Sequence, residues 1–131
     1  MPNSITHLTF GFSYNQQTVL PNYITHLTFD EKYNKPTILP YSVTHLKFGS
    51  RYNQQTILPY SVTHLTFGYH YNQPTVIPNS VTHLTFGSCY NQQTKLPKSI
   101  THLTIGNLHQ STNLPNSITH LTIGNLHQST N

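Results

Sequence analysis

The tripeptide Thr-His-Leu recurs along the chain at a nearly constant interval. Its histidine occupies positions 7, 26, 45, 64, 83, 102 and 120, so the spacing is 19 residues five times and 18 residues once. Regularity of this kind is the signature of a repeat architecture, in which each short unit packs on its neighbours. Each unit opens with a proline, so we predict a single repeat array over residues 1–131, with units that start near residues 2, 21, 40, 59, 78, 97 and 115.

One unit indicates the local structure of all of them. Residues 24–29 read Ile-Thr-His-Leu-Thr-Phe, and such β-branched and aromatic residues favour an extended strand. Side chains alternate across a strand, so Leu27 and Phe29 share one face while His26 and Thr28 share the other. A glycine usually ends this strand, and an aliphatic residue directly before the next proline leads the chain into the following unit in extended geometry.

About five apolar positions per unit cannot form a core alone, so the units must stack. The predicted fold is therefore mainly β: a parallel-β solenoid, leucine-rich-repeat-like, with about seven units of one strand each and irregular return segments. Leu108 is predicted to take the tyrosine core position in the sixth unit, and the Tyr-Asn asparagines to turn inward and bond adjacent coils. The strand leucines are predicted to form one buried column: Leu8, Leu27, Leu46, Leu65, Leu84, Leu103 and Leu121.

The full unit resembles a known repeat. Leu-Pro-Asn-Ser-Ile-Thr-His-Leu-Thr at residues 114–122, with Tyr-Asn-Gln-Pro at residues 71–74, is similar to the FNIP repeat of social amoebae and of the large DNA viruses that infect amoebae. The resemblance implies a leucine-rich-repeat-like array that binds proteins. Family members often carry an F-box-like segment that couples partners to ubiquitin ligation. The 131 residues leave no room for one, so a partial or decayed paralogue of a longer adaptor, without its own partner, stays an alternative.

The polar face of the strands is the candidate binding surface for a protein partner. We expect it to line the concave side of the array, and it comprises His7, Thr9, His26, Thr28, His45, Lys47, His64, Thr66, His83, Thr85, His102, Thr104, His120 and Thr122. A metal-binding histidine ladder and an ice-binding threonine ladder are remote alternatives. A straight row of imidazoles does not converge as a tetrahedral site requires, and Lys47 interrupts the threonines, so we expect no metal and no cofactor.

Composition argues against several other functions. The net charge of +4 rests on six basic residues that form no run, which disfavours nucleic acid as a partner. Asp30 and Glu31 are the only carboxylates and are adjacent, so they cannot flank a substrate and we expect no enzyme. No apolar run predicts a membrane span or a signal peptide, and the single Cys89 fits a reducing, intracellular and cytoplasmic location.

Self-association through the ends of the array is a further expectation. Each end coil of a stacked sheet leaves a strand edge unpaired, and only 6% of the residues carry charge to discourage edge pairing. Leu121 and Ile123 make the last strand the more adhesive of the two edges. We therefore predict that copies of this chain associate at high concentration.

Overall fold

The seven repeats fold into seven short strands that lie in one sheet. The computed structural model describes residues 2, 4–106 and 113–124, and no helix occurs among them. The bounds are β1 His7–Phe10, β2 His26–Phe29, β3 His45–Phe48, β4 His64–Thr66, β5 His83–Phe86, β6 His102–Ile105 and β7 His120–Ile123. We call each unit, with its strand and its return segment, a coil, and number the coils 1–7 in the same order.

Every strand pairs in parallel with the next one along the chain, in the order β1 to β7. Equivalent residues face one another: His26 pairs with His45, and Leu27 with Leu46. The identical register follows from the repeat length, because a coil that closes after 19 residues brings the same position back to the same place. The parallel-β solenoid with one strand per coil and irregular return segments is thereby confirmed.

The core consists of five columns of equivalent apolar side chains. In coil 3 they are Val43, Leu46, Phe48, Tyr52 and the pre-proline Leu58, all 7% exposed or less. The predicted core positions are confirmed for the inner coils. Leu108 lies outside the described residues.

The leucine column departs from the prediction at its two ends. Leu27, Leu46, Leu65, Leu84 and Leu103 are buried, but Leu8 is half-buried and Leu121 is 43% exposed. The expectation of seven buried leucines was therefore wrong at both terminal strands. Each of these strands is hydrogen-bonded to a neighbouring strand on one side only, so a leucine there loses half of the cover that an inner coil supplies.

Ring spacings reveal the curvature of the stack. Neighbouring histidine rings are 4.1–4.2 Å apart on the outer strand face. Neighbouring phenylalanine rings in the core are 5.0–5.6 Å apart. Neighbouring tyrosine rings near the return side are 6.0–6.2 Å apart. Because the coils fan outwards in this way, the array is an arc with the histidines on its concave face.

Side chains bridge the coils on the wider, convex side. The backbone N–H of Asn53 donates to Oδ1 of Asn34 at 3.0 Å, and that of Asn72 donates to Oδ1 of Asn53 at 2.9 Å. The same bond links Asn34 to Asn15 and Asn91 to Asn72. This confirms the predicted inward turn of the asparagines, which satisfy amides that spread too far apart for a continuous backbone ladder.

Glycine is required at the strand ends because neighbouring coils approach closely there. A Cβ on Gly49 would lie 2.5 Å from the carbonyl oxygen of Asp30 in the preceding coil, and Gly68 stands just as close to the backbone of Gly49. Among the described residues only Gly124 has a positive φ. The sequence indicated these glycines as turn residues, and the structure shows that backbone contact is the stronger constraint.

Candidate partner-binding face

A threonine holds each imidazole of the histidine column in place. The hydroxyl of Thr25 lies 2.8 Å from Nδ1 of His26, and the same pair recurs in every coil at 2.8–2.9 Å. The Thr25 hydroxyl is also 3.2 Å from the carbonyl oxygen of Thr6 in the preceding coil. Since Nδ1 is engaged, Nε2 is the ring nitrogen left for a partner.

This threonine clamp was missed by sequence reasoning, although it left a signal. Thr6, Thr25 and their equivalents precede every histidine of the column, yet the analysis used only the threonines that follow it. A side chain fixed by both stacking and a hydrogen bond has little rotational freedom to lose on binding. The face is therefore rigid before any partner arrives.

The structure places all fourteen predicted residues on one face of the sheet, in register. The histidines and threonines of the inner coils are half-buried, whereas those at both ends are exposed, as is Lys47. Because the strands are continuous neighbours, the face forms two parallel columns. We call this surface the concave face.

Lys47 sits at the centre of the concave face. Its Cα pairs with Thr28 on one side and Thr66 on the other, so a single ammonium group interrupts the threonine column. A shallow depression surrounds it and is lined by His26, Leu27, Thr28, His45, Leu46, Lys47, His64 and Thr66. The two carboxylates of the chain, Asp30 and Glu31, belong to the turn that follows β2 and not to the strand face. The depression therefore carries positive charge alone.

The pKa values of His26, His64 and His102 lie below the usual 6.5. Partial desolvation within the stack is the larger cause, and the charge of the neighbouring imidazoles is the second. These rings are neutral at pH 7 and present Nε2 as an acceptor or donor. On acidification they add positive charge around Lys47.

The stacked imidazoles do not converge on a point. Adjacent rings are nearly parallel, with interplanar angles of 7–14°, so their free nitrogens run side by side. In the part of the chain that the structure describes, no group of three or more His, Cys, Asp or Glu side chains is arranged to hold a metal ion. The threonine column is interrupted by Lys47, as the sequence indicated.

Chemistry elsewhere in the described residues is sparse. The backbone N–H of Glu31 donates to Oδ1 of Asp30, so the two carboxylates share one turn. None of the described segments forms a helix with the length and apolar character needed to cross a membrane. The arrangement is that of a rigid surface with repeated polar groups.

Comparison with known proteins agrees with this geometry. The FNIP Repeat family matches six overlapping windows, at residues 1–32, 14–50, 33–70, 52–89, 71–108 and 90–126. No curated protein matches the chain. Among solved structures, the chain is similar to CroV588, described as a novel circular LRR protein, with 44% sequence identity and a TM-score of 0.82 over 95% of this chain.

The chain spans 21%, about a fifth, of the length of CroV588. Repeat families with a leucine-rich-repeat-like solenoid are typically non-enzymatic. The matches run through all seven coils, and the chain belongs to the FNIP-repeat family.

Proposed function

We propose that this protein is a non-catalytic interaction module whose concave face binds an extended, acidic segment of a protein partner. The observation that carries the proposal is the position of Lys47. It is the one residue that breaks the threonine column, and it lies beneath no other side chain of the fold because it is exposed. Its charge is not needed for packing, so it is free to pair with a partner's carboxylate.

The surrounding groups suit an extended acidic strand. Equivalent side chains recur at every coil, about 4.8 Å apart in a parallel sheet, and they offer imidazole nitrogens and threonine hydroxyls on both sides of Lys47. A partner that crosses the coils meets the same two polar groups repeatedly. Without a carboxylate in the depression, nothing on this surface competes with an acidic ligand.

A direct binding measurement tests the proposal. We expect a fluorescein-labelled oligoglutamate peptide to raise its polarisation on addition of the protein at pH 6, and an oligolysine peptide of equal length not to do so. Affinity should fall with added salt and with a rise to pH 8, because imidazolium charge is lost and ions screen the pairing.

Lys47→Thr is the matched variant, since threonine is the residue of that column in the other coils. It should fold as the parent does and bind oligoglutamate several-fold more weakly. Equal binding by parent and variant would place the acidic ligand elsewhere. Absence of binding by the parent would contradict the proposed partner class and favour an array without a partner of its own.

A further inference from the structure

A second surface, on the return segments, carries large apolar side chains in solvent. Val19, Ile38, Ile57 and Val76 are 93%, 90%, 90% and 85% exposed. They occupy the same position in coils 1–4, directly before the buried pre-proline aliphatic, so they form a column along the array. We call these four residues, with the exposed Tyr41 and Tyr60, the flank stripe.

The fold does not require this column to be apolar. Lys95 and Asn113 hold the same position in coils 5 and 6 and are exposed there, while the next residue, Leu96, stays buried as its equivalents do. Coil 5 therefore keeps its core with a charged residue in the column. The aliphatic residues of coils 1–4 must be explained by something outside the monomer.

The stripe reads the same in both directions. Three residues after each column member, and so within about 10 Å along the chain, stands a second exposed residue. The four pairs in order are Val19 with Asn22, Ile38 with Tyr41, Ile57 with Tyr60, and Val76 with Asn79. The larger pairs are in the middle and the smaller ones outside, so a half-turn between coils 2 and 3 maps the stripe onto itself.

We propose that the flank stripe is a homodimer interface, in which two copies of this chain pack their stripes together in opposite directions about a two-fold axis. Isologous contacts of this kind need a self-complementary patch. The axis places Val19 against the partner's Val76, and Ile38 against the partner's Ile57. Columns of β-branched residues interdigitate well, as in dry interfaces between stacked strands.

The available area matches what a stable dimer needs. Four exposed aliphatic side chains and two exposed tyrosines present roughly 500–900 Å² per copy. A standard interface buries about 800 Å² per partner. An apolar patch of this size is large for a monomer.

Lys95 and Lys98 fix the register. They form the next rung of the stripe and are exposed. An axis shifted by one coil, between Ile57 and Val76, would bury Lys95 against the partner's Ile38. The register centred between Ile38 and Ile57 uses every apolar rung and leaves both lysines in solvent.

The first test is the mass of the particle in solution. We expect sedimentation velocity and light scattering to give a dimer at micromolar concentration that does not grow further, since an isologous contact closes on itself. The Ile38→Lys/Ile57→Lys variant should be a folded monomer, with dissociation constant raised more than about 100-fold. Lys95 shows that lysine is compatible with the fold at this position.

Phe12→Ser is the matched control, because it removes another exposed aromatic and places the serine that coils 3 and 5 carry at that site. It should remain a dimer. A monomeric parent, or a double variant that dimerises as the parent does, overturns the proposal. Particles that grow with concentration and respond to Leu121→Lys instead would show association through the end strand.

The second test is the register. In a Cys89→Ser background, chains carrying Val19→Cys alone should not cross-link with themselves, since the two sites lie about three coils apart across the axis. The same holds for Val76→Cys alone. A mixture of the two should form the disulfide-linked dimer rapidly. Equal cross-linking of either chain with itself would rule out this axis.

Discussion

The two sides of each coil solve the same problem in different ways. On the concave side the strands approach closely, and the amides of Thr44 and His45 both donate to the carbonyl oxygen of Thr25, at 2.8 and 3.0 Å. On the convex side the coils stand farther apart, and asparagine and glutamine side chains span the gap: Nε2 of Gln73 donates to Oδ1 of Asn53 at 3.1 Å. Backbone joins the units on one side, and side chains join them on the other.

This difference determines which residues are free to carry function. Where the backbone makes the inter-coil bonds, the outward side chains His45 and Lys47 are released for a partner. Where side chains make those bonds, as Asn34 and Asn53 do, they are committed to the fold. The convex side is therefore left with positions that face away altogether, such as Ile38 and Ile57.

The largest effect should come from the core that connects the two sides. Phe67 is 1% exposed, stacks on Tyr71 at 3.8 Å within its coil, and has neighbours in both adjacent coils at 5.6 Å. Phe67→Ala should lower the free energy of unfolding by about 3–5 kcal/mol. Phe10→Ala in coil 1, where a neighbour stacks on one side only, should cost well under half of that. Equal losses in urea denaturation would refute a one-dimensional stack.

The next effect separates the two sides directly. Asn53→Ala leaves the amide of Asn72 and the side chain of Gln73 without their acceptor, and should cost about 1–3 kcal/mol. Thr44→Val, on the concave side, removes a hydroxyl but keeps the backbone bonds of its coil, and should cost less than about 1 kcal/mol. Chemical denaturation of both variants would measure the contrast. Similar costs would show that backbone bonding does not dominate the concave side.

Sequence reasoning anticipated the concave side almost completely. Period-two alternation fixes the opposite directions of Leu46 and His45, and a constant repeat length fixes the parallel register, so both follow from local rules. The inward turn of the asparagines also followed, because their side chains readily bond the backbone. What failed was the burial of Leu8 and Leu121, where the pattern is unchanged but a neighbour is missing.

The convex side was less predictable, because no simple period governs an irregular segment. Threonines such as Thr56 read as a polar stretch, yet Thr56 is 6% exposed and lies 2.5 Å from the hydroxyl of Tyr52. Conversely Ile57, next to it, reads as a core residue and is 90% exposed. Only the three-dimensional path of the return segment decides which of two adjacent residues faces inward.

A smaller effect, at alkaline pH, probes those convex-side tyrosines. Burial raises the pKa of Tyr52 and Tyr71 from 10 to about 12. The unfolded chain therefore releases these protons first, so the stability is fully present below pH 10 and is lost as the pH rises towards 12. Thermal melts across this range should show the fall. Tyr52→Phe/Tyr71→Phe should flatten it, whereas Tyr41→Phe, at an exposed site, should not. An unchanged slope in the double variant would exclude these hydroxyls as the cause.

The smallest effect, at acid pH, probes the concave side. The pKa values of His26, His64 and His102 are lowered by partial desolvation and then by the neighbouring imidazoles, against an unfolded value near 6.5. Below that value the unfolded chain binds more protons than the folded one, so stability is fully present above about pH 6.5 and is lost as the pH falls through the folded pKa values. No carboxylate lies on the strand face to offset the charge, and Lys47 adds to it. The variant His45→Gln/His83→Gln removes both neighbours of His64, so the pKa of His64, followed by NMR titration, should rise. The acid loss of melting temperature should shrink with it. His70→Gln, an exposed histidine outside the column, is the control and should change neither quantity. A pKa of His64 that stays put in the double variant would show that stacking at 4.2 Å does not couple these rings electrostatically.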